Sequence, residues 1–155
     1  MVYKYFYDFP IGKVGIAESN GAISHVFFDD TTNKPKNAET KETPLIKRAA
    51  GQISEYFEGK RIEFDLPLTY DGTVFQISAW EALRKIPYGE VRSYKEQAVA
   101  VGNAKACRAV GMANNRNPIS IIIPCHRVVG SSGKLVGYGG GLGIKKFLLK
   151  LENRC

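Results

Sequence analysis

The pattern of the sequence changes once, across residues 67–72, and that change limits the folds open to it. Before this point apolar and polar residues alternate in short runs, 3–9, 13–18 and 22–28, the period of half-buried strands. Asn20-Gly21, between the last two runs, signals a two-residue hairpin turn. Residues 29–42 are polar and read as a loop. Thr43-Pro44 reads as an N-cap followed by proline at the first helical position. Leu45, Ala49, Ile53, Tyr56 and Phe57 then keep one helical face apolar, and Gly59 ends it. Ile62, Phe64 and Leu66 alternate as a further strand.

After the change, helix punctuation takes over. Thr73 and Gln76 form a capping box that opens a helix with Val74, Ile77, Trp80 and Leu83 on its core face. Pro87-Tyr88-Gly89 breaks this helix. Ser93 and Glu96 form a second box, predicting a short helix over 94–101 that stops at Gly102. Asn103 caps another helix, from Ala104 to about Asn115, so the pair reads as a helix-turn-helix. The apolar run 119–123 reads as a buried strand, 131–143 is rich in glycine, and Ile144, Phe147, Leu148 and Leu151 mark a final amphipathic helix. The expectation is an α+β chain with domains 1–70 and 71–155, joined through 67–72.

Composition narrows the function classes. An apolar content of 44% in 155 residues is ample for a core, and no run reaches the ~18 apolar residues of a membrane span. The first ten residues lack a secretory apolar segment, and three cysteines (Cys107, Cys125, Cys155) do not make a disulfide framework. Both point to a reducing, intracellular setting. His25 and His126 lie far apart, and no Cys/His spacing suits a structural zinc site. Residues 1–70 carry 9 Lys and Arg against 10 Asp and Glu; residues 71–155 carry 13 against 5. All the excess positive charge is in the second half, which suits either a solvated basic surface or a polyanionic partner.

That half also holds Pro124-Cys125-His126-Arg127-Val128. A thiol attacks as thiolate, and a neighbouring imidazole helps to form it, so Cys125 is the candidate nucleophile. The second helix of the helix-turn-helix carries Lys105, Arg108 and, near its end, Arg116, with small residues between them that allow a ligand close to the backbone. Taken alone, this corner suits helix packing as well as DNA binding.

Asn117-Pro118 followed by Ile121-Ile122-Ile123-Pro124-Cys125-His126-Arg127-Val128 resembles the signature of the O6-alkylguanine-DNA alkyltransferases. The likeness runs without gaps from about Phe75 to Glu152 and includes Ile86-Pro87-Tyr88-Gly89-Glu90-Val91, Ser93-Tyr94, Arg108-Ala109-Val110-Gly111, Tyr138 and Leu148-Leu149. The resemblance implies a ribonuclease-H-like N-terminal α/β domain and a mostly helical, winged helix-turn-helix-like C-terminal domain. It implies double-stranded DNA containing O6-alkylguanine as substrate, with O4-alkylthymine a weaker candidate, and a nucleotide flipped out of the stack. Cys125 would accept the alkyl group, His126 would take the thiol proton through a bridging water, and Glu152 would orient His126. Tyr94 would aid flipping and donate to the leaving guanine. The backbone of Cys125 and Val128 would accept from its exocyclic amine, and Tyr138 and Gly139 would wall the pocket. Asn117 would tie the DNA-binding helix to the cysteine loop. Arg108 would fill the gap left by the flipped base, with Ala109 and Gly111 passing close to the minor-groove backbone and Lys105 and Arg116 adding charge.

The resemblance further implies a protein consumed in one turnover, needing no metal or organic cofactor, and monomeric in the cytoplasm (or the nucleus of a eukaryote). Gly139 stands where several relatives carry Ser, which removes a side-chain bond to the lesion. Cys107 reads as a small helix residue, Cys155 as a mobile terminal one, and Asn114 and Asn115 have no assignable role. Two other readings compete. A non-reactive lesion sensor would lack the nucleophile that Cys125 supplies. A Cys/His hydrolase would need an oxyanion hole, of which the sequence gives no sign.

Overall fold

The computed structural model describes residues 1–28, 33–130, 133, 138 and 141–153. They form two compact units: Met1–Tyr70 with Pro118–Ile122, and Asp71–Asn117 with the chain from Ile123 onward.

The first unit is a four-stranded sheet with one helix. Strands β1 (Val2–Phe9), β2 (Gly12–Ser19) and β3 (Ala22–Phe28) form an antiparallel meander, and β4 (Glu39–Thr40) adds a short parallel edge beside β1, giving the order β3-β2-β1-β4. Strand β4 falls in the stretch expected to be loop throughout; residues 29–32 of that stretch lie outside the described residues. Asn20 and Gly21 both take positive φ, 52° and 79°, which matches the hairpin turn to the twist of its strands. Helix α1 (Pro44–Phe57) starts where Thr43 Oγ1 accepts from Ile46 N at 3.1 Å, and buries Ile46, Ala49, Ile53 and Tyr56. Gly15 pairs with Phe27, and a Cβ at Gly15 would lie 2.3 Å from that ring, so glycine here makes room for an aromatic core residue.

Two expected strands take other forms. Residues 62–66 form no strand, and Ile62 is 58% exposed. Their backbone is satisfied instead by a side chain: Gln52 Nε2 donates to Asp65 O at 3.0 Å, and Asp65 N donates to Gln52 Oε1 at 2.9 Å. The apolar run 119–123 turns rather than extends, with the β-branched Ile121 at φ 71°, a left-handed conformation such residues rarely adopt. Only Ile119 bridges β3: Val26 N donates to Pro118 O (3.0 Å) and Ser120 N to Val26 O (2.9 Å). Ile23 exchanges bonds with Pro67 and Thr69 in the same way, so both segments cap the open edge of β3.

The second unit is mostly helical: α2 (Val74–Arg84), α3 (Tyr94–Ala100), α4 (Cys107–Asn115) and α5 (Leu142–Glu152). Both capping boxes are present, Thr73 with Gln76 and Ser93 with Glu96. Val74 does not face the core; it is 89% exposed at the first turn of α2, while Ala79, Trp80 and Leu83 are buried. Helix α4 begins at Cys107, three residues later than expected, because Asn103 caps a turn instead: its Oδ1 accepts from Lys105 N at 3.0 Å. Cys107 is half-buried against Ala98, Ala106 and Val110. Asn114 pairs side chain to side chain with Gln97, both bonds at 2.8 Å, and Gln97 also donates to Ala79 O. Trp80 Nε1 donates to Ala113 O at 2.8 Å. These bonds fix α2, α3 and α4 together, the two amides satisfying each other in a buried place. A two-residue parallel ladder, β5 (Arg92–Ser93) with β6 (Val128–Val129), brings the chain just beyond Cys125 alongside the start of α3.

Candidate active site

The segment of the candidate nucleophile is a single 3₁₀ turn, Cys125–Arg127, lying between Pro124 and β6. Cys125, His126 and Arg127 are all buried. Asn117, 1% exposed just beyond α4, donates to Ile123 O at 2.7 Å and also hydrogen-bonds the Cys125 thiol. One amide thus ties the end of the helix-turn-helix to the cysteine.

Helix α5 supplies the opposite wall. Lys145, Leu148 and Glu152 follow one another at three and four residues, so they share one helical face, and all three are buried. His126 Nε2 donates to Glu152 Oε2 at 2.6 Å. Arg127 grips the same carboxylate from the other side, Nε to Oε1 at 2.7 Å and Nη2 to Oε2 at 3.1 Å, while its Nη1 donates to Ile86 O at 2.7 Å. A carboxylate in the last turn of a helix meets the negative end of the helix dipole, so a paired guanidinium is the natural compensation. The turn at Pro87-Tyr88-Gly89 closes round this end of α5. Tyr88 lies 5.7 Å below the Arg127 guanidinium, and a Cβ at Gly89 (φ 81°) would come within 3.3 Å of Glu152 O.

Electrostatics assigns protons. Burial pushes Glu152 upward, but its bonds to His126 and Arg127 outweigh that and hold it at about 2, so it is ionised. Burial lowers His126 below its ordinary value, and Arg127 and Lys145 add to this against the pull of Glu152, so the ring is neutral at pH 7. A neutral ring that donates from Nε2 presents a lone pair at Nδ1, which is buried and accepts no hydrogen bond among the described residues. Burial pushes the Cys125 thiol up, and the Asn117 bond and the Lys145 charge pull it part of the way back. The resting thiol is therefore protonated and needs a base. Lys145 Nζ stands 5.9 Å from the centre of the Tyr94 ring, and its charge favours a Cys125 thiolate even as burial lowers its own proton affinity. Burial, and then the nearness of Cys125, raise the Tyr94 phenol, keeping it a proton donor.

Of the residues singled out from sequence, Cys125, His126, Glu152, Asn117 and Tyr94 come together in this unit. Val128 is buried in β6 and Tyr138 is half-buried; Gly139 and Cys155 lie outside the described residues. Lys105, Arg108, Ala109 and Arg116 are exposed along or beside α4, and Gly111 sits over Tyr94, where a Cβ would meet the ring at 3.7 Å. Sequence reasoning missed two members, Arg127 and Lys145. Arg127 carried no signal beyond its place in the motif. Lys145 did carry one: it falls on the face of α5 that also holds Leu148, so a lysine stands where an apolar residue belongs. A groove of about 670 Å³ between α2 and α3, lined by residues such as Ser78, Lys85, Lys95 and Val99, contains none of these groups.

Comparison with known proteins reaches nearly every residue. A family model described as 6-O-methylguanine DNA methyltransferase, DNA binding domain, matches residues 74–154, and its ribonuclease-like counterpart matches residues 2–70. The methylated-DNA–protein-cysteine methyltransferase of Methanosarcina barkeri is 50% identical over 95% of this chain and 96% of its own. The constitutive methylated-DNA–protein-cysteine methyltransferase of Bacillus subtilis is 48% identical over 92% of this chain and 90% of its own. The crystal structure of Mycobacterium tuberculosis OGT in complex with DNA superposes with a TM-score of 0.91 at 43% identity, covering 97% of this chain and 92% of that one.

Proposed function

Because this chain belongs to the 6-O-methylguanine DNA methyltransferase family, we propose that it repairs DNA by moving an alkyl group from O6 of guanine in a duplex onto Cys125. It acts as a methylated-DNA–protein-cysteine methyltransferase. The observation that carries the assignment of residues is the buried His126–Glu152 contact of 2.6 Å, directly beside a buried thiol.

In this reading a guanine leaves the stack and enters the pocket by way of the helix-turn-helix, and Arg108 fills the space it vacates. His126 Nδ1 takes the thiol proton, directly or through a bridging water, while Glu152 holds the ring and balances the charge it gains. Lys145 stabilises the thiolate as it forms. The sulfur attacks the alkyl carbon in line; the new C–S bond forms as the C–O6 bond breaks, and the electron pair passes into the guanine. Tyr94 supplies a proton to the departing base, and the proton held by His126 restores the phenol. The product is a thioether, which no group here can hydrolyse, so each molecule acts once.

Both the DNA-facing helix and the reactive groups belong to one unit of one chain, which supports action as a monomer. Cys107 and Cys125 are free thiols, which suits the reducing cytoplasm, and no helix among the described residues is long and apolar enough to cross a membrane.

The test is incubation with a duplex carrying O6-methylguanine, followed by peptide mass analysis. One methyl per protein on Cys125, lost in Cys125→Ala, is expected. Binding without transfer would indicate a sensor, and repeated turnover of an ester substrate a hydrolase; either outcome refutes the proposal.

A further inference from the structure

Arg127 is held by more contacts than a counter-ion needs. Its three side-chain nitrogens all donate: Nε and Nη2 to the two carboxylate oxygens of Glu152, and Nη1 to Ile86 O. The Tyr88 ring flanks the guanidinium, and the Tyr88 hydroxyl donates to Leu151 O at 3.4 Å, one residue before Glu152. A lysine would supply the same charge, but only a planar fork fixes the carboxylate at two points. The oxygen that Nη2 reaches, Oε2, is also the one that accepts from His126 Nε2. The guanidinium and the imidazole share one acceptor, so what Arg127 does to Glu152 reaches His126.

A histidine bonded to a lone buried carboxylate tends to keep a second proton, as an imidazolium–carboxylate pair. Such a ring is charged before the reaction starts and cannot act as its base. Here Arg127 already matches the charge of Glu152. Burial opposes a second proton on His126 most, Arg127 and Lys145 oppose it too, and Glu152 favours it. The neighbouring Cys125 thiol and Tyr94 phenol are held protonated and uncharged. The remaining charged side chains of the two helices packed on this turn are exposed: Lys146 and Lys150 on α5, and Glu81 and Arg84 on α2, which pair with each other at 3.8 Å.

We propose that Arg127 is a positioning residue of the transfer reaction: its fork on Glu152 keeps the single proton of His126 on Nε2 and so leaves Nδ1 open to take the thiol proton. This role rests on the reaction proposed above, but its first test needs no DNA. The chain has two histidines, His25 and His126, so protein labelled with ¹⁵N in the histidine rings gives one reporter and one internal control. In the wild type and in Arg127→Lys, His126 should carry a proton on Nε2 alone at pH 7. In Arg127→Met it should carry both protons, and lose the second about one pH unit or more higher than in the wild type, the scale of removing a nearby like charge. His25 should be the same in all three. Single-turnover transfer then separates charge from orientation. Arg127→Met should be slow at pH 7 and recover as rising pH deprotonates the ring. Arg127→Lys should keep the wild-type pH profile and be slower throughout, by roughly tenfold, because the carboxylate is held at one point instead of two. Duplex affinity should be unchanged. Wild-type protonation of His126 in Arg127→Met overturns the proposal and leaves Arg127 a structural counter-ion. If Arg127→Met does not fold, Arg127→Lys decides, and a wild-type rate in that variant overturns the proposal. If the wild type transfers no methyl, the reaction itself is refuted, while the ring titration still shows whether the fork holds the His126 proton.

Discussion

The two units bury different things. In the first, the interior is Val14, Ile16, Ile23, Val26, Phe27, Ile46, Ile53 and Tyr56, and among the described residues its buried polar side chains, Ser24, Thr43 and Gln52, are uncharged. In the second, His126, Arg127, Lys145 and Glu152 are buried within a helical framework. A buried charge carries a desolvation penalty that a hydrophobic residue of similar size would avoid, so such a cluster is a weak way to gain stability. The first unit is therefore held by apolar packing, whereas the second accepts a cost in cohesion to bury charged groups beside one thiol.

The widest separation between the units comes from Glu152→Gln. It leaves the Arg127 guanidinium buried beside a neutral partner and removes the charge that supports His126. We expect a loss of about 3–5 kcal/mol in denaturant titration and a fall of roughly 10²-fold in single-turnover transfer. The same variant tests the pH dependence. Glu152 is depressed from 4.5 to about 2, so the stability it confers is complete above pH 4.5 and lost as pH falls toward 2. The variant should lose this part of the acid slope, and an unchanged slope would show that the carboxylate is not its source.

Ile53→Ala is the counterpart in the first unit. Its side chain is fully buried, so the cavity should cost about 2–5 kcal/mol, with transfer per folded molecule little changed. Equal damage to stability and to the chemical step, measured at a temperature where the variant is folded, would break the contrast. Arg108→Ala should cost about 1–3 kcal/mol of duplex binding and slow repair in duplex far more than reaction with free O6-methylguanine, because only the duplex requires flipping. Equal losses on both substrates would sink the flipping role. The smallest effect is expected from Thr43→Ala, which removes the cap of α1 and should lower stability by about 1 kcal/mol without touching the active site.

Legibility follows the range of the interaction. The Asn20-Gly21 turn, the Thr43 cap and the two capping boxes are set by neighbours within four residues, and all are present. The errors arose where a local pattern had a distant competitor. Residues 62–66 alternate like a strand, yet their backbone is claimed by Gln52 on α1. The run 119–123 is apolar enough for a central strand, but the chain turns at Ile121 after one bridge to β3. Asn114, which had no reading, turns out to complete the amide of Gln97 from another helix. In the sequence Arg127 and Lys145 only add to the positive charge of the second half, because whether a cation is solvated or buried depends on what the rest of the chain brings to it.

The sequence alone determined the caps of α1, α2 and α3 and the Asn20-Gly21 turn, placed the positive charge in the second half, and singled out Cys125 as the candidate nucleophile. Those properties lie within a few residues of one another along the chain. Only the tertiary structure decided the protonation of that site. It brought Glu152 on α5 within 2.6 Å of His126, set Arg127 against the same carboxylate and left Lys145 buried near Cys125. Proton affinities depend on distance and burial in space, and sequence separation encodes neither.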